Sequence, residues 1–255
     1  MQIIPFDRTR DVSKLVGCDV RNRSYQWNIY LQHLPDVPQG SHVLDFGAGS
    51  LRESHDLAMR GFRVTSVDMN TIGMDKCYPA YDWSQAAFEP ELRSDLPAEP
   101  GKFGLVTAFD IIEHLPDPAA PLRQIHDIMA EGALAFVTVP NKLTLREYVT
   151  KRRGGAGLAP GEAHLQFKSP GEWKKLFQNT GFRVLDHEMA LGPFNNTAHF
   201  LAHGLRKESW HRPFANVLHG IDELIRPVAS PLFGWNLFVF RKAGKTGAVQ
   251  PAGHA

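Results

Sequence analysis

The chain reads as an α/β protein of the doubly wound kind, a mostly parallel sheet with helices on both faces. Three observations predict it. Short apolar runs alternate with stretches at helical period, the pattern of strand–helix–strand units. A glycine pair, Gly47 and Gly49, falls where the first run gives way to a helix. The composition, 43% hydrophobic and 22% charged over 255 residues, supplies a sizeable core and is neither disordered nor fibrous.

The elements follow in order. Trp27, Tyr30, Leu31 and Leu34 recur at helical spacing over Asn22–Leu34, a packing helix that Pro35 stops. His42–Gly47 (HVLDFG) is a strand buried on both faces. Ser50 and Glu53 form an S-x-x-E capping signal for a helix that Gly61 closes, and Phe62–Asp68 is the second strand. A third strand belongs between Asp68 and Phe103, where no clean apolar run marks it. Phe103–Phe109 is followed by a helix carrying Leu122, Ile125, Ile128 and Met129, which Gly132 ends before the strand Ala133–Val139. Ser169, Pro170 and Glu172 open a further helix with Trp173, Leu176 and Phe177 on its apolar face. Phe182–Asp186 and Trp235–Phe240 are strands, with an aromatic-rich insertion between them that holds a helix near Leu218–Arg226. Residues 243–255 form a frayed tail.

Composition excludes several functions. Lys and Arg total 28 against 27 Asp and Glu, a net charge of +1, so no bulk field attracts nucleic acid. Two cysteines, Cys18 and Cys77, provide neither a disulfide framework nor a zinc cluster and suit a reducing compartment. There is no membrane-length apolar run, and the start MQIIPFDRTRD lacks a secretory core, so a cytoplasmic location is expected.

The informative segment is VLDFGAGS, Val43–Ser50, with Asp68 at the end of the next strand. Glycines at a strand-to-helix turn let a ligand lie against backbone, with amides expected to point at it. An acid ending the second strand hydrogen-bonds ribose hydroxyls in doubly wound folds. A dinucleotide fingerprint requires glycine at position 52, where Arg52 stands. Asp45 stands two residues before Gly47 and would repel a pyrophosphate but attract an amine or sulfonium. A nucleoside carrying a cation and no phosphate meets these requirements.

On these residues the chain resembles the class I S-adenosylmethionine-dependent methyltransferases, whose first motif is roughly D/E-x-G-x-G. The resemblance extends over FDIIEHLPDP and FVTVPN in Phe103–Asn141, and over Glu162–Phe182 (EAHLQFKSPGEWKKLFQNTGF). It spans about residues 36–190 and is strongest to ubiquinone-biosynthesis-type and polysaccharide- or natural-product-type small-molecule methyltransferases. It implies a Rossmann-like sheet with an antiparallel final strand in one domain. That domain comprises a helical segment 1–35, a cofactor core 36–190, a substrate-side insertion 191–234, the strand 235–242 and the tail 243–255.

The resemblance implies S-adenosylmethionine as cofactor. Asp45 would sit near its methionine amino group, while Gly47, Ala48 and Gly49 line the loop beneath it. Asp68 would take the ribose hydroxyls and Met69 lie beside the adenine. Asp95 would read the adenine amino group, and Phe109 and Asp110 would flank the methionyl portion. His114 after the fourth strand and His164 in the covering segment are the candidate bases for an acceptor hydroxyl. Asp110, Glu113 and His114 resemble the E-x-x-E-H of some ubiquinone-pathway enzymes, yet many relatives with an E-H-L turn use no metal, and none is expected.

For the acceptor, Lys142, Arg146, Lys151, Arg152 and Arg153 gather five positive charges against Glu147. They suit either a solvated face or a loop attracting a phosphorylated or carboxylated molecule or an anionic membrane surface. The insertion reads equally as an aromatic lid or as core or dimer packing. A small-molecule acceptor methylated on oxygen is the leading expectation. A nucleic-acid methyltransferase is disfavoured by the charge balance and by FDIIEH where base-amine enzymes carry D/N-P-P-Y/F. A nicotinamide oxidoreductase is disfavoured by Asp45 and Arg52. A non-catalytic scaffold of the same fold would also carry these motifs, although intact Asp45, Gly47, Gly49 and Asp68 argue that cofactor binding is kept.

Overall fold

The computed structural model describes residues 30–49, 51–69, 83–88, 90–154, 163–190, 192–194, 197–198, 208–229 and 232–243. Seven strands make one sheet: β1 His42–Phe46, β2 Arg63–Val67, β3 Glu91–Arg93, β4 Phe103–Phe109, β5 Met129–Pro140, β6 Phe182–Ala190 and β7 Trp235–Lys242. Their order is β3-β2-β1-β4-β5-β7-β6, parallel from β3 to β5. β7 runs antiparallel between β5 and β6, pairing Phe136 with Val239 and Thr138 with Leu237. The helices are α1 Arg52–Met59, α2 Ala119–Ile128, α3 Leu145–Arg152, α4 Pro170–Asn179 and α5 Glu208–Ala229.

Strand alternation divides the core in two. On one face Leu44, Val106, Val137, Phe238 and Phe240 meet Leu122, Ile125 and Ile128 of α2 and Trp173 and Phe177 of α4. On the other, Val43, Leu105, Phe136, Leu237 and Val239 meet Leu57 and Ala58 of α1 with Tyr30 and Leu34. Successive residues of one strand feed opposite layers, as the pleat requires. Phe177 stacks on Phe240 at 4.2 Å, and the Trp173 indole N–H donates to the Pro140 carbonyl at 2.9 Å. Tyr30 stacks on Phe109 and Phe136 while its hydroxyl donates to the Val137 carbonyl at 2.8 Å. The rest of the expected first helix, including Trp27, lies outside the described residues.

Several boundaries differ from expectation for physical reasons. The N-cap of α1 is Leu51 at φ 62°, and Glu53 pairs with Arg52; Ser50, the expected cap, lies outside the described residues. Met129 opens β5 rather than ending α2, because it pairs beside Phe103 before an irregularity around Gly132 at φ 73°. The unmarked third strand is the three-residue β3, held on Thr65–Val67 at the sheet edge and too short to show a period. The basic segment is helical over α3, with Thr144 as its N-cap. By contrast, the expected capping box at α4 is complete: Ser169 accepts from the Glu172 amide, and Glu172 accepts from the Ser169 amide. The insertion helix α5 is longer than expected and carries an exposed apolar stripe, Val217, Ile221, Leu224 and Val228. Among the described residues no helix is long and apolar enough to cross a membrane.

Candidate active site

The strand order reverses between β1 and β4, whose carboxyl ends lie side by side, and ligands of doubly wound sheets bind at such a point. The loop leaving β1 turns there through Gly47 at φ 79° and Gly49 at φ 48°. A Cβ on Gly47 would lie 2.6 Å from Cβ of Ile111, so the absent side chain lets the loops after β1 and β4 pack together. A Cβ on Gly49 would meet nothing nearer than 3.9 Å. The Gly47 and Ala48 amides both donate to the Val67 carbonyl, at 2.8 and 3.1 Å, and the Gly49 amide donates to Asp68 Oδ2 at 2.8 Å. These amides are therefore spent on β2 and its terminal acid, and the expectation that they point at a ligand is corrected. Among the described residues of the loop, the Gly47, Ala48 and Gly49 amides all have acceptors within the protein.

Asp45 is 3% exposed and lies inside the sheet. Its Oδ2 accepts from the Ser54 hydroxyl at 2.5 Å and its Oδ1 from Thr107 at 2.7 Å, linking β1, α1 and β4. Burial pushes its carboxyl up to about 6, Glu53 and Asp68 add to the rise, and the two hydroxyls oppose it. Asp45 thus holds the floor of the loop through two hydroxyls that sequence reasoning missed.

Met69 is almost fully exposed beside Asp68. Asp95, two residues beyond β3, pairs with Arg93 at 3.2 Å on the surface. Phe109 ends β4 against Tyr30. Asp110 follows at φ 55°, a backbone that L residues rarely adopt, and is held by the Thr138 hydroxyl, which donates to Asp110 Oδ1 at 2.6 Å.

The turn after β4, Ile112–His114, is clamped to the segment Ala163–Gln166. The Leu165 and Gln166 amides donate to the Glu113 carbonyl at 2.8 and 3.0 Å, and Gln166 Nε2 donates to the Leu115 and Pro116 carbonyls. His114 Nδ1 donates to the Ala163 carbonyl at 2.8 Å. The rings of His114 and His164 meet edge to face, 5.0 Å between centroids, so two histidines separated by fifty residues share one cluster. His164 Nδ1 bonds Glu147 Oε2 at 2.8 Å, both groups being buried. Glu113 is fully buried, and neither carboxyl oxygen has a well-aligned hydrogen-bond partner. Burial above all, then the charge of Asp110, holds its carboxyl well above the usual range. One nitrogen of each histidine and one Glu113 oxygen lie within 4.8 Å of one another, a polar group that can handle a proton or hold a polar ligand.

The basic run is largely engaged with neighbours. Lys142 pairs with Glu172 at 2.5 Å, Arg146 lies over the Trp235 ring, Arg152 over Tyr148 and Lys151 over Phe167. Glu147, the acid within that run, carried no sequence signal beyond the T-x-x-E of Thr144–Glu147.

The strand order, the antiparallel β7 and the glycine loop joined to Asp68 define a class I S-adenosylmethionine-dependent methyltransferase. Residues 20–187 match the family described as a methyltransferase domain, and the chain belongs to that family. It is 27% identical over 172 residues to the ubiquinone biosynthesis O-methyltransferase of Xanthomonas euvesicatoria pv. vesicatoria, covering 62% of this chain and 70% of that one. It is 30% identical over 106 residues to the enzyme of the same description from Azotobacter vinelandii, covering 40% and 46%. The structure of an S-adenosylmethionine-dependent methyltransferase from Mesorhizobium loti superposes with TM-score 0.58 at 16% identity, covering 85% of this chain and 97% of that one. Phosphoethanolamine N-methyltransferase 2 of Haemonchus contortus, in complex with S-adenosyl-L-methionine, superposes at 0.52 with 20% identity, covering 86% and 53%. The enzyme is a methyltransferase whose cofactor is S-adenosylmethionine.

Proposed function

We propose that this methyltransferase modifies a small-molecule acceptor on oxygen, with His114 and His164 at the acceptor and Asp45, Gly47, Ala48, Gly49, Asp68, Met69, Asp95, Phe109 and Asp110 around the cofactor. The observation that carries this reading is the polar cluster at the end of β4, where one nitrogen of each histidine lies within 4.8 Å of Glu113. A hydroxyl must lose a proton as it is methylated, and a histidine imidazole is suited to receive it. S-adenosylmethionine, when bound, supplies a methyl group already activated by the positive sulfur. The chain aligns the acceptor against it and takes the proton.

The acceptor is anionic in this reading, phosphorylated or carboxylated, drawn by Arg146, Lys151, Arg152 and Arg153 on and after α3. The enzyme works without nucleic acid and without a metal. The relatives described as ubiquinone biosynthesis O-methyltransferases support transfer to oxygen. Calorimetric titration should give micromolar binding of S-adenosylmethionine or S-adenosylhomocysteine and none of NAD. A screen of small-molecule pools with labelled donor should then return an acid- and base-stable methyl ether. A product labelled on nitrogen or carbon, or label found only in nucleic acid, overturns the reading.

A further inference from the structure

We propose that Glu147 is the positioning residue of a Glu147–His164 dyad, fixing His164 with its Nε2 lone pair toward the acceptor. The inference rests on the methyl-transfer reading above and adds to it a residue outside the glycine loop and the E-H turn.

The first support is how Glu147 is used. Helices α3 and α4 both begin with S/T-x-x-E, and their glutamates do opposite things. At α4, Glu172 turns back to the Ser169 amide and closes a capping box at the surface. At α3, Thr144 accepts from the Glu147 amide at 3.2 Å, but the Thr144 amide is already satisfied by the Asn141 carbonyl at 3.2 Å. Glu147 is released from capping and sends its carboxylate inward, where it is 2% exposed. Its Oε2 meets His164 and its Oε1 has no hydrogen-bond partner, with Arg146 the neighbouring cation at 3.9 Å. Burying a carboxylate this sparsely satisfied is expensive, and an ordinary helix start does not require it.

The second support is what surrounds His164. Its neighbour Ala163 accepts from His114 and its neighbour Leu165 donates to Glu113, so the backbone on both sides is pinned to the turn after β4. The ring itself packs edge-on against His114 and is 4% exposed. With Nδ1–H given to Glu147, the remaining lone pair is on Nε2, as in other carboxylate-oriented catalytic histidines. In the reaction, His164 Nε2 accepts the proton that the acceptor hydroxyl sheds as its oxygen bonds the methyl carbon. The electron pair of the broken carbon–sulfur bond stays on sulfur as a neutral thioether, and the imidazolium charge is balanced by Glu147.

The test reads the histidine directly. Full-length protein with ¹⁵N-labelled histidine, saturated with S-adenosylhomocysteine in the presence of EDTA, is examined by long-range ¹H–¹⁵N NMR, with His164→Gln assigning the signals. His164 should be neutral with the proton on Nδ1. Glu147→Gln, which keeps an acceptor oxygen, should retain that tautomer, and Glu147→Ala should lose it. With the acceptor returned by the labelled-donor screen, Glu147→Gln should lower kcat about 100-fold with KM changed less than threefold. The double variant with His164→Gln should be no slower than His164→Gln alone. An Nε2–H tautomer in the wild type, or losses that multiply in the double variant, overturns the dyad. Failure to bind S-adenosylhomocysteine overturns the methyl-transfer reading instead, and the tautomer is still read in its absence.

Discussion

The Gly49 amide donates to Asp68 Oδ2 at 2.8 Å, so the loop after β1 and the acid after β2 are one hydrogen-bonded unit. Replacing Asp68 by Ala removes both the tether and the group expected at the ribose. Hydrogen bonds to a charged acceptor are each worth about 1.5–3 kcal/mol, so S-adenosylmethionine should bind about 100-fold more weakly. Asp68→Asn, which still offers Gly49 an acceptor, should lose less. Titration calorimetry decides it, and affinity of Asp68→Ala within threefold of wild type would remove Asp68 from the site.

The two loop glycines are needed for different reasons, and alanine should separate them. At Gly47 a Cβ meets Ile111 at 2.6 Å on a backbone at φ 79°, so Gly47→Ala combines a clash with strain. It should destabilise the protein by about 3 kcal/mol in urea unfolding. At Gly49 the added Cβ has open space, and only the left-handed backbone opposes it, about 1 kcal/mol. Gly49→Ala should therefore stay folded and lose cofactor affinity. Equal stability losses would contradict the packing of Ile111 on the loop.

These glycines were legible in the sequence because their need is local: a turn between an apolar run and a helix. The strands β1, β2 and β4 were legible for the same reason, each a continuous buried run. β3 was not, since three residues at a sheet edge carry no period and its partner Thr65–Val67 supplies the template. Asp45 shows another limit. Its charge pattern beside the glycines suggested a ligand contact, while Ser54 and Thr107, which its carboxylate meets, are brought to it only by packing of α1 and β4. Glu147 was hidden among five basic residues for the same reason: its burial depends on where α3 lands.

Asp45 gives a pH signature whose sign follows from its raised carboxyl. Its value is about 6 in the fold against an ordinary 3.8. Protonation is therefore favoured by folding, so this contribution to stability is full below about pH 4 and is lost as pH rises through about 6. A shift of about two units corresponds to about 3 kcal/mol. Asp45→Asn removes the titration, so the stability of the variant relative to wild type should rise between pH 4 and 7, measured by urea unfolding. A difference that is flat with pH would mean that Asp45 stays ionised within its two hydroxyl bonds.

The last prediction concerns metal dependence at the histidine cluster. Methyl transfer from a sulfonium expels a neutral thioether, so no Lewis acid is required at the leaving group, and in the proposed reaction an imidazole receives the acceptor proton. Each histidine already has Nδ1 committed, to the Ala163 carbonyl and to Glu147, and Glu113 is held toward its neutral form by burial. A buried acid held toward its protonated form beside two histidines is a good place to move a proton. Turnover after exhaustive EDTA treatment should stay within twofold of the untreated enzyme. Added magnesium or zinc should leave the thermal midpoint unchanged. Glu113→Gln, which mimics the neutral acid, should keep turnover within about tenfold. Loss of activity on chelation that one divalent ion restores, abolished in Glu113→Gln, would show instead that the cluster works as a metal centre.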